Sequence, residues 1–281
     1  MTSEAIALVA FSPDHLEGAV QLSQQAGWPH RPEDWRMALA LSQGCVAVSR
    51  RDNRVVGTAL MTPYGPEAAT INMVIVDASL RGRGTGRGLM ERVLSLAGDR
   101  SLRLVATESG LPLYEKLDFR SSGGVAQHQG HVIKSITAPP GVRAARPDDI
   151  AAIAELDRAA YGAERRRLIA LLADVGSLAV LEHMDRLAGF AALRPFGHGE
   201  VIGPVVAANS DDARLLVSHF LAARAGAFVR IDTAVTTGLG PWLAGIGLAH
   251  VGGGIAMRRP IVAAPVKTAF HTFALANQAF G

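Results

Sequence analysis

The positions with most chemical potential lie between Arg81 and Gly88, in the run Arg81-Gly82-Arg83-Gly84-Thr85-Gly86-Arg87-Gly88. An apolar, β-branched stretch, Ile71-Asn72-Met73-Val74-Ile75-Val76, precedes it and reads as a buried strand. Leu89, Met90, Val93, Leu94 and Ala97 follow at helical spacing. A strand feeding a glycine-rich turn at a helix start is an anion site. Glycine lets the backbone approach a ligand closely, and the amides of a first helical turn point outward at positive potential. Three arginines add net charge, so the expected chemistry is phosphate binding. The spacing is not that of a P-loop, since no Gly-Lys-Ser/Thr follows. It also fails as a dinucleotide fingerprint, because the third glycine counted from Gly84 falls on Leu89. Downstream, Tyr114 offers a phenol able to hold a proton for a leaving group, and Glu108 is the carboxylate just before it in sequence.

The pattern Arg81-x-x-Gly84-x-Gly86 resembles the pyrophosphate loop of the GNAT acyltransferase superfamily, Arg/Gln-x-x-Gly-x-Gly/Ala, which binds acetyl-CoA. A second block supports the resemblance: a strand from Leu102 to Ala106, then Leu113-Tyr114-Glu115-Lys116-Leu117-Asp118-Phe119, which is similar to the family's L-Y-E-x-L-G-F segment. Asp118 stands where the family has glycine, and aspartate is among the residues that tolerate a left-handed backbone. The resemblance implies an acetyl-CoA site made by backbone groups of Val74 and Val76 with Arg81, Gly82, Arg83, Gly84, Thr85, Gly86 and Arg87. It implies that Tyr114 protonates the departing thiolate. Where many family members carry a strand glutamate this chain has Thr70, with Asn72 next on the same face. Neither takes a proton at neutral pH; Glu67 and Glu108 are the nearest carboxylates in sequence, with a water relay as a further route, and Glu108 is the preferred base, against its ordinary reading as a solvated loop residue. Asn72 and Trp28, with His198 and Glu200 reaching across a domain interface, are the candidate substrate contacts. A core tryptophan and an exposed hairpin pair are the plainer readings of the last three.

The activity so implied is direct acetyl transfer from acetyl-CoA to a small amine or amino-acid-like metabolite. Acetylation of a protein lysine or N-terminus, and a non-catalytic CoA-sensing module, are the alternatives. At 281 residues the chain suggests two domains. A net charge of +3 is too mild to argue for nucleic acid. The single Cys45 excludes an internal disulfide and a cysteine-rich metal site, and no metal is expected. No secretory signal or membrane-length apolar run is seen, so a cytoplasmic monomer or homodimer without membrane contact is expected.

The elements that must position these groups follow a β-α-α-β-β-β-α-β-α-β-β order over residues 1–137, the family's order, with closing strands near Phe119 and over 132–136. Ala138-Pro139-Pro140-Gly141 reads as a linker. Residues 142–281 then repeat the pattern. Asp52-Asn53-Arg54-Val55-Val56-Gly57 through Pro63 aligns with Met184-Asp185-Arg186-Leu187-Ala188-Gly189 through Pro195, and Pro241 to Leu248 echoes Pro112 to Phe119. The expected fold class is therefore α/β (α+β): two tandem GNAT domains, each a mixed, mostly antiparallel sheet flanked by helices. The second copy has Asn209-Ser210-Asp211-Asp212 in place of the glycine loop, with Ser210 as the expected helix cap, and Leu243 in place of Tyr114. Acids repel phosphate, so the second copy is expected to have lost cofactor and chemistry. Phe196 to Ala207 resembles the second half of a YitH-like group of tandem GNAT proteins. The apolar stretch from Phe270 to Phe280 is expected to pack on the body.

Overall fold

The computed structural model describes residues 6–184, 186–260 and 268–281; Asp185 of the second hairpin turn lies outside them. The first half contains β1 (Ile6–Ala10), α1 (Leu16–Gln25), α2 (Pro32–Leu41), β2 (Gln43–Ser49), β3 (Val55–Tyr64), β4 (Ala68–Val76), α3 (Thr85–Ala97), β5 (Ser101–Ala106), α4 (Leu111–Glu115) and β6 (Arg120–His131). The second repeats it with β7 (Val142–Ala144), α5 (Ile150–Tyr161), α6 (Arg166–Val175), β8 (Ser177–His183), β9 (Arg186–Phe196), β10 (Gly199–Ala207), α7 (Ser210–Leu221), β11 (Phe228–Ala234), α8 (Gly240–Gly245) and β12 (Ala249–Arg259). A further strand, β13 (His271–Ala274), has no counterpart in the first half.

The repeat is visible in packing as well as order. A Cβ on Gly57 would stand 2.8 Å from Leu89 of α3, and one on Gly189 would stand 3.1 Å from Leu216 of α7. Each glycine lets a helical leucine sit on the hairpin. After α4 the amide of Phe119 donates to the carbonyl of Tyr114 at 3.1 Å, and after α8 Leu248 donates to Leu243 at 3.0 Å. In the same turns Asp118 has φ +64° and Gly247 φ +105°. The aspartate thus takes the left-handed conformation that the sequence comparison anticipated.

All these strands join one 13-stranded sheet in the order β1-β2-β3-β4-β5-β12-β6-β11-β13-β10-β9-β8-β7. The halves exchange strands at its centre: β6 pairs with β11 of the second half, while β12 takes the place beside β5 of the first. β6 and β12 run antiparallel to each other, with Val125 opposite Gly254. A Cβ on Gly253 would overlap the carbonyl oxygen of Val125, so the close crossing requires that glycine. The two expected closing strands are accordingly a single strand, Arg120–His131. Residues 132–136 form no strand, because Val132 bonds instead to Ala227 and Gly226, on the approach to β11.

Two cores lie under α3 (Leu89, Met90, Val93, Phe119) and α7 (Leu216, Val217, Phe220). The third joins the halves, with Trp35, Leu168, Ile169, Phe190 and Phe280 buried together. The C-terminal stretch packs on the body: Tyr64 donates to the Phe280 carbonyl at 2.7 Å, and buried Arg165, paired with Asp157 at 2.6 Å, donates to the Gly281 carbonyl. Among the described residues no helix is long and apolar enough to cross a membrane.

Candidate active site

In the first half β4 and β5 pair in parallel only at residues 68–70 with 101–103, and then diverge. A bulge in β4, where Met73 has φ +50°, helps the strand turn away. Beyond it the amide of Asp77 bonds to Val56 of β3, and the carbonyl of Met73 accepts from Thr58. Because strand groups alternate sides, the backbone of Val74 and Val76 faces the gap instead. The guanidinium of Arg81 approaches the Val76 carbonyl at 3.4 Å from that side.

The gap leads to the glycine loop. Gly82 and Gly84 have φ +75° and +86°, a left-handed backbone that an ordinary residue adopts only at a cost of about 1–2 kcal/mol. α3 has no side-chain cap, so the first-turn amides at 85–87 are open to an anion. A cavity of about 480 Å³ runs from Arg81, Gly82 and Gly86 past Val74 and Val76 to Trp28 and Tyr114. Arg83, Gly84 and Thr85 border an adjoining cleft beside Ile6 and Leu8. Arg87 is exposed and paired with Glu91 at 2.8 Å. Open helix-start amides, a free strand edge and a narrow connecting cavity suit an extended, phosphate-bearing ligand.

A second cavity of about 280 Å³ meets the first at Trp28, Val74, Thr107 and Tyr114, which wall both. Tyr114 therefore stands at the junction. Its hydroxyl has no hydrogen-bond partner among the described residues, and burial pushes its pKa up to about 12. Gly110 makes room for the ring, since a Cβ there would stand 2.9 Å from it.

The far wall of the second cavity combines both halves. Asn72 donates to Thr62 at 2.9 Å, leaving its buried carbonyl oxygen without a partner. His30 of the first half also has a buried, unpartnered ring nitrogen, Nδ1, and burial lowers its pKa to about 4. Its imidazole is thus neutral near pH 7. From the second half come Phe196, Arg230 and residues 277–279. Arg230 pairs with buried Asp232 at 2.9 Å, and Arg194 and Arg31 share Asp34 at 3.3 and 3.0 Å. Around this wall three guanidinium groups meet two carboxylates.

The sequence reading places Asn72, Trp28, Val74, Val76, Arg81, Gly82, Gly86 and Tyr114 around the joined cavities. Glu108 is exposed in the turn before α4 and borders neither cavity. His198 is exposed with its ring against Phe228, and Glu200 pairs with Arg224 at 2.7 Å, both away from the cavities. Trp35 is core, donating to Ser23 at 3.1 Å. Phe196, Arg230 and Gln278 were not singled out as site residues in the sequence. His30, in the turn beside Trp28, carried a local signal; those three arrive through strand exchange and the C-terminal stretch. Among the described residues no group of three or more His, Cys, Asp or Glu could hold a metal.

The second half differs at each of these places. α7 is capped by Asn209 rather than Ser210: its side chain accepts from the amides of Asp211 and Asp212 at 3.0 and 2.9 Å. β10 and β11 pair in parallel only at Glu200 and Val201 with Val229 and Arg230. The gap that follows is filled by β13, which pairs with Val205, Val206, Ala207 and Thr233.

Two family models, each of an acetyltransferase (GNAT) domain, match this chain, one at residues 42–121 and the other at 153–269. The chain is 26% identical over 231 residues to the uncharacterized N-acetyltransferase YitH of Bacillus subtilis (strain 168), covering 80% of this chain and 81% of the relative. A provisional acetyltransferase from Pyrococcus horikoshii shares the fold with a TM-score of 0.81 and 20% identity, over 100% of this chain and 98% of the other. A tandem GNAT protein from the clavulanic acid biosynthesis pathway shares it at 0.63 and 16%, over 90% and 98%. Both halves carry the same domain and the whole follows a tandem fold, so the chain belongs to the GNAT acetyltransferases, as a tandem-GNAT acyltransferase.

Proposed function

We propose that the chain transfers an acetyl group from acetyl-CoA to the amine of a small, amino-acid-like metabolite, in a ternary complex. In this reading residues 1–137 hold the cofactor and perform the chemistry. Residues 142–281, joined through 138–141, complete the acceptor wall. The observation that carries it is the meeting of the two cavities at Tyr114, one ending at open helix amides and the other at a polar wall from both halves.

Acetyl-CoA, when bound, supplies an acyl group activated as a thioester. Arg81 and the amides of the α3 start neutralise phosphate. The free edge of Val74 and Val76 orients the acyl arm by backbone hydrogen bonds, which places the acyl carbon without a side-chain ligand. Tyr114 holds a proton at its hydroxyl for the leaving sulfur. Burial that raises the phenol pKa also raises that of a thiolate beside it, so their match survives in a dry site.

The acceptor amine is held by hydrogen bonds to the unpartnered Asn72 carbonyl and His30 nitrogen. Neither is a strong base, and the excess of guanidinium charge disfavours an ammonium. The amine therefore enters neutral, its first proton lost to water; the second, shed as the C–N bond forms and the C–S bond breaks, restores the Tyr114 hydroxyl after that group has protonated the sulfur, and Glu108 takes no part. The same excess charge favours a carboxylate on the acceptor, read by Arg230. The tail residues 277–279 close the cavity against a long peptide and favour a small molecule. A supply of acetyl-CoA places the enzyme in the cytoplasm.

Thiol release from acetyl-CoA, measured against a panel of amino acids, their decarboxylated amines and lysine peptides, tests the reading. Turnover with amino acids exceeding that with their decarboxylated amines is expected. Turnover confined to peptides, or absent throughout despite CoA binding, would count against it.

A further inference from the structure

Strand exchange gives the second half a cavity equivalent to the acceptor cavity of the first, and this counterpart, of about 610 Å³, is the larger. Its wall includes Arg103 and Arg258, with Tyr161, Thr272 and Gln278. Arg103 of β5 occupies the place that Arg230 occupies on β11. The two strands also differ in the residue two places on. Arg230 has Asp232 to pair with, whereas Arg103 has Val105.

Arg103 and Arg258 are directly opposed on β5 and β12. Neither has a carboxylate partner among the described residues, and like charges opposed on adjacent strands destabilise a sheet. Elsewhere the chain matches its interior arginines with acids: buried Arg165 with Asp157 and Arg194 with Asp34, and half-buried Arg230 with Asp232. Arg103 is fixed by a 2.7 Å bond to the Tyr161 carbonyl and lies over the Tyr161 ring at 4.2 Å, yet its Nε is buried and unpartnered. The Tyr161 hydroxyl and the Thr272 Oγ1 are likewise buried without partners. Burial and the nearby Arg103 lower the pKa of Arg258, as expected for a cation without a counter-ion.

We propose that this cavity is a second ligand site, distinct from the CoA and acceptor sites, that takes a small oxyanion, a carboxylate or a phosphate, between Arg103 and Arg258. The oxyanion supplies the missing counter-charge, and the Tyr161 and Thr272 hydroxyls donate to its remaining oxygens. β13 fills the neighbouring cofactor slot, so the site binds without transferring anything. Gln278 borders both this cavity and the acceptor cavity, and its amide donates to Gln127 and to Asp232, each at 3.2 Å.

The test is calorimetry on the full chain, saturated with CoA so that the arginines of the glycine loop are engaged, at low chloride. Inorganic phosphate and succinate are titrated separately, which distinguishes the two kinds of oxyanion. Saturable binding of at least one of them, at one Arg258-dependent site per chain, is expected. Affinity should fall at least about tenfold in Arg258→Gln, as for loss of a charge-assisted contact, and recover in part in Arg258→Lys. Thr272→Val, which removes a hydroxyl with no partner in the protein, serves if Arg258→Gln does not fold, and should weaken binding severalfold. Absence of saturable binding by both anions, or binding undiminished in the variant that folds, overturns the proposal. The result is independent of which acceptor is acetylated.

Discussion

The starts of α3 and α7 occupy equivalent places after equivalent strands, yet they present opposite surfaces to an anion. At Thr85 the preceding left-handed glycine leaves the first-turn amides open. At Ser210 the Asn209 side chain takes two of those amides, and Asp211 and Asp212 add negative charge. The strands before them diverge in the same way, but one gap is a cavity and the other holds β13. The comparison teaches that the duplicated fold supplies a slot, and that small local choices decide its use. In one copy the strand edge is left free; in the other the chain completes it itself.

The largest effect that can sharpen this comparison is at the junction residue. Tyr114→Phe should lower kcat by about 10²-fold or more, as for loss of a general acid, with the KM for acetyl-CoA little changed. Its counterpart Leu243 is fully buried in the second core, so Leu243→Ala should instead cost about 2–5 kcal/mol of stability, read by denaturant unfolding. A Tyr114→Phe enzyme with near-normal kcat would erase the chemical difference between the halves.

Arg230→Gln is expected to raise the acceptor KM about tenfold or more, since it removes a charged contact and leaves Asp232 unpaired, while the acetyl-CoA KM stays the same. Equal changes in both constants would break the division between donor and acceptor cavities. Next come the helix starts themselves. Gly84→Ala should weaken CoA binding about tenfold, because an L-residue at this φ carries about 1–2 kcal/mol of strain. Asn209→Ala should lower stability by about 1 kcal/mol through loss of the cap and leave CoA affinity unchanged.

The last effect concerns acid. Burial lowers the pKa of His30 in the fold to about 4 from its ordinary 6.5, so the unfolded chain binds its proton first as pH falls. Protonation of the unfolded state then draws the equilibrium away from the fold, and stability declines between pH 6.5 and 4 by on the order of 3 kcal/mol. His30→Gln should flatten that part of the stability-versus-pH curve, measured by denaturant unfolding. An unchanged slope would remove His30 from the buried wall.

The glycine loop and the cavity beside it were legible in the sequence because their signals are local. Glycines at 82, 84 and 86, the preceding apolar strand and the Tyr114 block each fix a conformation within a few residues of themselves. The repeat was legible for the same reason, through the paired hairpins at Gly57 and Gly189. Strand exchange was not, since β6 and β12 have the same pattern whether each closes its own half or its partner. That ambiguity hid the contribution of Arg230 and Gln278 to the second cavity. It also made 132–136 look like a strand when Val132 is occupied by the approach to β11. The cap at Asn209 was one residue from the expected Ser210 because side-chain geometry chooses between adjacent cap formers.

The most direct test of the central claim is the stoichiometry of CoA binding to the full chain by calorimetry, repeated with Gly84→Ala. One CoA per chain, weakened by that single change, is the predicted result. Two equivalent CoA sites, or binding that Gly84→Ala leaves intact, would contradict it.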